Sequence, residues 1–190
     1  MNLLSKNFSY LWAMKRLIFI VLLSTISVGV FSQNTIKFLG IPIDGTKKEM
    51  ISKLEAKGYE YDSYEDALTG EFNGTNVLLS VQTVNNRVWR IAVVDKSFTD
   101  ETNIKVRFNN LFDQFLSNKK YVLAVGEKLT DKDDISYEIT VHNKRYEAGF
   151  LLADESINGV VWYMIAEQYG KYRIVMFYEN QDNAANGDDL

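Results

Sequence analysis

His142 is the one histidine of the chain, so a hydrolytic triad or an imidazole-based metal site would have to use it. It stands directly before Asn143-Lys144, a turn signal, where an imidazole is expected to be solvated. No Gly-x-Ser-x-Gly elbow supports a serine nucleophile. Glycine-rich phosphate loops and HExxH are absent as well. The chain has no cysteine. That excludes disulfides, thiolate metal sites, a cysteine nucleophile and a lipid-anchored lipoprotein. Two carboxylate groups remain. Asp131, Asp133 and Asp134 crowd one loop, but Ile135 and Ser136 stand where a calcium loop needs a ligand and its glycine. Glu60, Asp62, Glu65 and Asp66 form a second group, and no spacing among them singles out the paired carboxylates of a glycosidase. We therefore assign no catalytic residue, no metal ligand and no cofactor. A carboxylate-dependent hydrolase is the least favoured alternative.

Aromatic residues offer different chemistry. The chain has 11 Tyr, 11 Phe and three Trp. In residues 160–167, Trp162, Met164 and Ala166 share one face of a strand, while Val161, Tyr163 and Ile165 share the other. Tyr172, Ile174 and Met176 stand likewise against Val175 and Phe177. A half-solvated sheet alternates apolar and polar residues, so both faces of these strands call for cover. Helices supply it on one side. The other side is covered by the rest of the chain or presents an aromatic patch with Arg90 and Arg173, a composition suited to recognition. Trp89, Arg90, Tyr163, Tyr172 and Arg173 are the candidate binding residues. A cavity for a small apolar ligand is the alternative use of such a surface.

The elements that must position these residues follow from local signals. Thr46-Lys47-Lys48-Glu49 is a capping box. Met50, Ile51 and Leu54 then fall at helical spacing, and Gly58 ends a helix of about 12 residues. A short strand at 35–39 and a turn at 40–45 holding Pro42 precede it. Strands are expected at 59–62, 68–72, 76–84 and 87–95, with turns at Asn73-Gly74 and Asn85-Asn86. Asn73-Gly74-Thr75 also fits a glycosylation pattern, but the hairpin reading explains it better. A second helix starts at Thr99 or Asp100. Ile104, Phe108, Leu111, Phe112 and Phe115 form its apolar stripe and Asn118 its stop. Further strands are expected at 121–125, 136–142, 145–152, 160–167 and 172–179. Asn143-Lys144, Asn158-Gly159 and Gly170-Lys171 mark turns between them.

This order, a helix then strands and again a helix then strands, reads as a duplication. Trp89-Arg90-Ile91 opens the apolar run Ala92-Val93-Val94. Tyr172-Arg173-Ile174 opens Val175-Met176-Phe177 in the same way. Thr69-Gly70-Glu71-Phe72 and Glu147-Ala148-Gly149-Phe150 match more weakly. The pattern resembles the β-lactamase-inhibitory-protein-like (BLIP-like) architecture, whose tandem helix-plus-sheet modules make a broad curved sheet. One helix per module and no cysteine set the chain apart from the inhibitory protein itself, so the layout is what the resemblance implies. The run Phe38-Leu39-Gly40-Ile41-Pro42-Ile43-Asp44-Gly45-Thr46 is also similar to the opening of small exported proteins of Bacteroides-type bacteria. The expected fold class is α+β, with two tandem modules at 33–98 and 99–179, each one helix plus an antiparallel sheet of three to four strands. Residues 180–190 are polar and acidic, and they are expected to be a disordered tail.

Residues 14–33 read as a secretory signal peptide starting at Met14. Lys15 and Arg16 precede an apolar stretch of about 14 residues, too short to span a bilayer, and Val30 and Ser32 suit cleavage before Gln33. The chain carries a formal net charge of −4. Residues 1–32 contribute Lys6, Lys15 and Arg16 and no acid, which leaves the remainder at about −7. That disfavours nucleic acid and anionic lipid as partners. The expectation is a periplasmic or secreted, non-enzymatic module. It would bind a protein or cell-envelope partner through an aromatic sheet surface, with no stable membrane insertion after signal cleavage.

Overall fold

Thr46 begins the first helix as its sequence dictates. Its hydroxyl accepts from the Glu49 N–H at 3.3 Å, and the Glu49 carboxylate accepts from the Thr46 N–H at 2.9 Å. These reciprocal bonds satisfy donors that a helix start leaves open. In the computed structural model, which describes residues 35–155 and 157–184, helix α1 spans Lys47–Glu55 and buries Met50 and Leu54. It is nine residues long, shorter than the expected 12, because bonds from Lys57 and Gly58 back to Leu54 and Glu55 close its last turn early. Replacing Thr46 with alanine is expected to cost about 1 kcal/mol in urea or thermal denaturation. The Thr46 N–H and hydroxyl both donate to the Glu49 carboxylate and hold its carboxyl below its usual range. Its contribution is therefore complete above the ordinary glutamate value and fades as pH falls through the lowered one.

The strands are β1 (Lys37–Phe38), β2 (Ile41–Pro42), β3 (Glu60–Asp62), β4 (Ala67–Phe72), β5 (Thr75–Val84), β6 (Arg87–Asp95), β7 (Tyr121–Val125), β8 (Glu147–Leu152), β9 (Gly159–Gln168) and β10 (Lys171–Asn180). β1 and β2 pair by themselves. The others form one antiparallel eight-stranded sheet in the order β3-β4-β5-β6-β10-β9-β8-β7. Thus β3 to β6 form one meander and β7 to β10 another, and the two meet where β6 pairs with β10. The fold is α+β. The β4–β5 and β5–β6 hairpins turn as expected at Asn73-Gly74 and Asn85-Asn86, all with positive φ. The β9–β10 hairpin turns at Tyr169-Gly170, one residue before the expected pair.

Helix α2 (Glu101–Ser117) is capped by Asp100, whose carboxylate accepts from the Asn103 N–H at 2.8 Å. Its stripe of Ile104, Phe108, Leu111, Phe112 and Phe115 is buried as expected. Phe108 and Phe115 pack against Tyr163, and Phe112 and Phe115 against Phe150. Arg107 ties the helix to β6 through Asp95, 3.2 Å away. Both helices lie on one side of the sheet, where Leu68, Leu79, Ile91, Val93, Phe150, Val161, Tyr163, Ile174 and Met176 complete the core. On the same side Gly70 lets the Tyr59 ring lie against the strand, since a Cβ there would stand 2.5 Å from it.

Two further expectations need correction, and the first gives the second half two helices where one was expected. Residues 136–142 form helix α3 (Ile135–His142), not a strand. Thr140 and Val141 give a β signal, but capping overrides it. Asp134 accepts from the Tyr137 N–H at 2.9 Å, and the Glu101 carboxylate from the Ile135 and Ser136 N–H groups. At the other end Asn143 takes the left-handed conformation, with φ 53°. The second correction concerns residues 180–184, which are ordered into the fold. Asn180 ends β10 and donates to the Ile43 carbonyl at 2.8 Å, and Asn183 donates to Asp44 and to the Val88 carbonyl, both at 2.9 Å. The candidate signal peptide and residues 185–190 lie outside the described residues.

Candidate functional site

The face of the sheet turned away from α1 and α2 carries the side chains of alternate strand positions. On β10 these are Arg173, Val175, Phe177 and Glu179. On β9 they are Val160, Trp162, Met164 and Ala166, and on β6 Arg90, Ala92 and Val94. A β-bulge adds Trp89. Thr83 pairs with Val88 and Gln82 with Arg90, so Trp89 is an extra residue between them. The bulge lets two consecutive residues face outward.

At the centre of this face four side chains form a layered stack across three strands. The Arg90 guanidinium lies 3.9 Å from the Trp89 ring centre and 4.9 Å from that of Phe177. Phe177 stacks in turn on Trp162 at 4.3 Å. The cation is thus held between aromatic faces, an arrangement that ring quadrupoles favour. Glu179 closes the group from below. Its carboxylate accepts from Arg90 Nη2 at 2.6 Å, from Trp162 Nε1 at 2.8 Å and from Gln181 Nε2 at 2.7 Å. Arg90 also donates to Gln82 Oε1 at 3.3 Å. Arg173 lies further along β10, with its guanidinium 4.5 Å from the Phe98 ring centre. Its Nε is buried without a hydrogen-bond partner, as is that of Arg90.

The five candidate residues divide between the two faces. Trp89, Arg90 and Arg173 are half-buried on the outer face. Tyr163 and Tyr172 belong to the core, at 0 % and 2 % exposure, and do not join that surface. The reason is the period of a strand. Neighbouring residues on a regular strand point to opposite sides, so Tyr172 and Arg173 could not both face outward. Trp162, Phe177, Glu179 and Gln82 complete the cluster and were not among the candidates. A signal for them existed. Lys171, Arg173 and Glu179 mark one phase of β10 as the solvent side, and Phe177 shares that phase.

Asp62, Asp133 and Asp134 of the two carboxylate groups accept from backbone N–H groups, and Asp66 from side chains. Asp133 accepts from the N–H and hydroxyl of Thr130, and Asp134 caps α3. Asp62 accepts from the Tyr64 and Glu65 N–H groups. Asp66 pairs with Lys47 and accepts from the Tyr61 hydroxyl. His142 is exposed at the end of α3, edge-on to Tyr137. Among the described residues no group of three or more His, Asp or Glu side chains could hold a metal ion. Also among them, no helix is long and apolar enough to cross a membrane.

Near the C-terminal end of α2 lies an open groove of about 350 Å³. Leu111, Phe115, Tyr121, Met176 and Tyr178 contribute its apolar lining, and Asn73 and Gln114 are among its polar residues. Comparison of the chain with protein families, with curated proteins and with solved structures finds no match.

Proposed function

We propose that the protein is an exported, non-enzymatic binding module that recognises a protein or cell-envelope partner through the outer face of its sheet. The observation that carries this reading is the Trp89–Arg90–Phe177–Trp162 stack on a face that α1 and α2 leave open. Large aromatic side chains and arginine, pre-ordered before binding, lose little freedom when a partner docks. Export is supported by the signal-like sequence of residues 14–33, with its basic start, short apolar stretch and small residues near the cut. The tandem-module reading is supported by the strand order, in which two four-stranded meanders meet at β6 and β10. That order also fits the layout implied by the BLIP-like resemblance.

The test is affinity capture from envelope extract with the purified protein, beside a folded Trp89→Ala, Arg173→Glu double variant. Capture of one protein by the parent and loss of about tenfold or more in affinity with the variant are expected. Equal capture by both would sink the assignment to this face. The groove of about 350 Å³ favours a second reading, a carrier of a small apolar ligand. An apolar molecule retained on the purified protein in native mass spectrometry would favour that reading instead.

A further inference from the structure

Two ring pairs line the groove near the C-terminal end of α2. Phe72 and Tyr178 meet edge-on at 6.4 Å between ring centres, and Phe115 and Tyr121 at 5.0 Å. Leu111 and Met176, both buried, add to the apolar lining. The volume, about 350 Å³, suits a small molecule. No lysine, arginine or histidine is among the described residues that line it. Its one acid, Glu71, is next to Phe72 on β4, and strand alternation turns the two side chains to opposite faces of the sheet. An ion would therefore lose its water here without gaining a counter-charge, so the groove selects a neutral occupant.

One polar atom specifies that occupant further. Tyr178 is only 7 % exposed, and its hydroxyl makes no hydrogen bond among the described residues. The hydroxyls of Tyr59 and Tyr163, by contrast, donate to the carbonyls of Glu71 and Phe108. Other polar groups of the groove are engaged: Asn73 donates to Gln114 at 2.8 Å, and Asn118 accepts from the Lys120 N–H at 3.1 Å. Burial pushes the Tyr178 hydroxyl far above the usual tyrosine range, so it keeps its proton and remains a donor. Buried hydroxyls are ordinarily paired, and an unpaired one lining a groove leaves a place for an acceptor. We propose that the groove binds a small neutral aromatic molecule bearing an oxygen acceptor, of the aryl ketone class, with the oxygen on the Tyr178 hydroxyl and the ring among the aromatic side chains. This rests on the carrier reading of the groove. It leaves Trp89 and Arg173, on the other face of the sheet, free for a partner.

Acetophenone and α-methylstyrene are suitable probes, since they share a shape and differ by a carbonyl oxygen against a methylene. Titration of the purified protein, followed by NMR of the Met176 methyl group, should show saturable binding of both, with dissociation constants below about 1 mM. Tyr178→Phe should weaken acetophenone binding about five- to tenfold and leave α-methylstyrene within about twofold. Without ligand, Tyr178→Phe should be at least as stable in urea as the parent, because the lost hydroxyl had no partner in the protein. A clear fall in stability would show the hydroxyl to be structural and overturn the proposal. Binding of both probes with no selective loss in Tyr178→Phe overturns the oxygen acceptor and leaves an unselective apolar carrier. No response of the Met176 methyl to either probe overturns the carrier reading as well.

Discussion

Replacing Tyr163 with alanine is expected to destabilise the protein by about 3–5 kcal/mol. Its ring is fully buried and meets Phe108, Phe115 and Phe150. Its hydroxyl donates to the Phe108 carbonyl at 3.1 Å, a residue 55 positions away on α2. Alanine removes the ring from the junction between sheet and helix and leaves a cavity that rigid neighbours fill only in part. Tyr163→Phe keeps the ring and removes the hydroxyl, so it should cost only about 1 kcal/mol. Urea denaturation of the two variants separates packing from hydrogen bonding. If Tyr163→Ala changed stability by less than about 0.5 kcal/mol, as an exposed position would, the core placement would be wrong.

Glu179→Ala should cost nearly as much, about 3–5 kcal/mol, although it removes a residue of the outer face. Three donors converge on this carboxylate, and Glu179 itself is only 6 % exposed. Without it Arg90 holds a positive charge between Trp89 and Phe177 with no counter-charge, and the Trp162 N–H loses its acceptor. Most of the cost is that of the orphaned groups, not the worth of the pair. A combined Arg90→Met, Glu179→Leu variant removes both charges and should recover most of the loss. Comparable instability in the single and double variants would show that Glu179 acts by some means other than compensating Arg90. Trp162 fluorescence in Glu179→Ala offers an independent readout of whether the stack has loosened.

These two residues also show where sequence reasoning succeeds and where it stops. The helix stripe from Ile104 to Phe115 and the capping residues Thr46 and Asp100 are legible because they depend on neighbours within a turn or two. The hairpins at Asn73-Gly74 and Asn85-Asn86 are legible for the same reason. The first and last strands of each meander could be located, but not the face that α1 and α2 cover. That face is chosen by contacts such as Phe108 with Tyr163, far apart in the chain. Tyr163 and Tyr172 were therefore placed on the wrong side. Glu179 escaped notice because a lone carboxylate at the end of an apolar strand looks like a solubilising charge. Its partners Arg90 and Trp162 come from two other strands. Residues 135–142 failed differently. Thr140 and Val141 suggest a strand, whereas Glu101, more than thirty residues earlier, supplies acceptors for the start of a helix. Residues 180–184 looked like tail by composition, yet their asparagine amides bind carbonyls of segments that precede them by about a hundred residues.

The junction of the meanders has a consequence in time. Val94 on β6 pairs with Val175 on β10, about 80 residues later. At a synthesis rate of roughly 5–20 residues per second, β6 therefore waits on the order of 4–16 s for its neighbour to be made. During that interval the first meander has an open, apolar edge whenever it folds. Arg90 sits on that edge without Glu179, and a stray strand that lacks a carboxylate at the matching register would trap the bare cation against apolar side chains. The Arg90–Glu179 pair is thus one that only the closing of the two meanders can make, since its halves lie on the two strands that meet last along the chain.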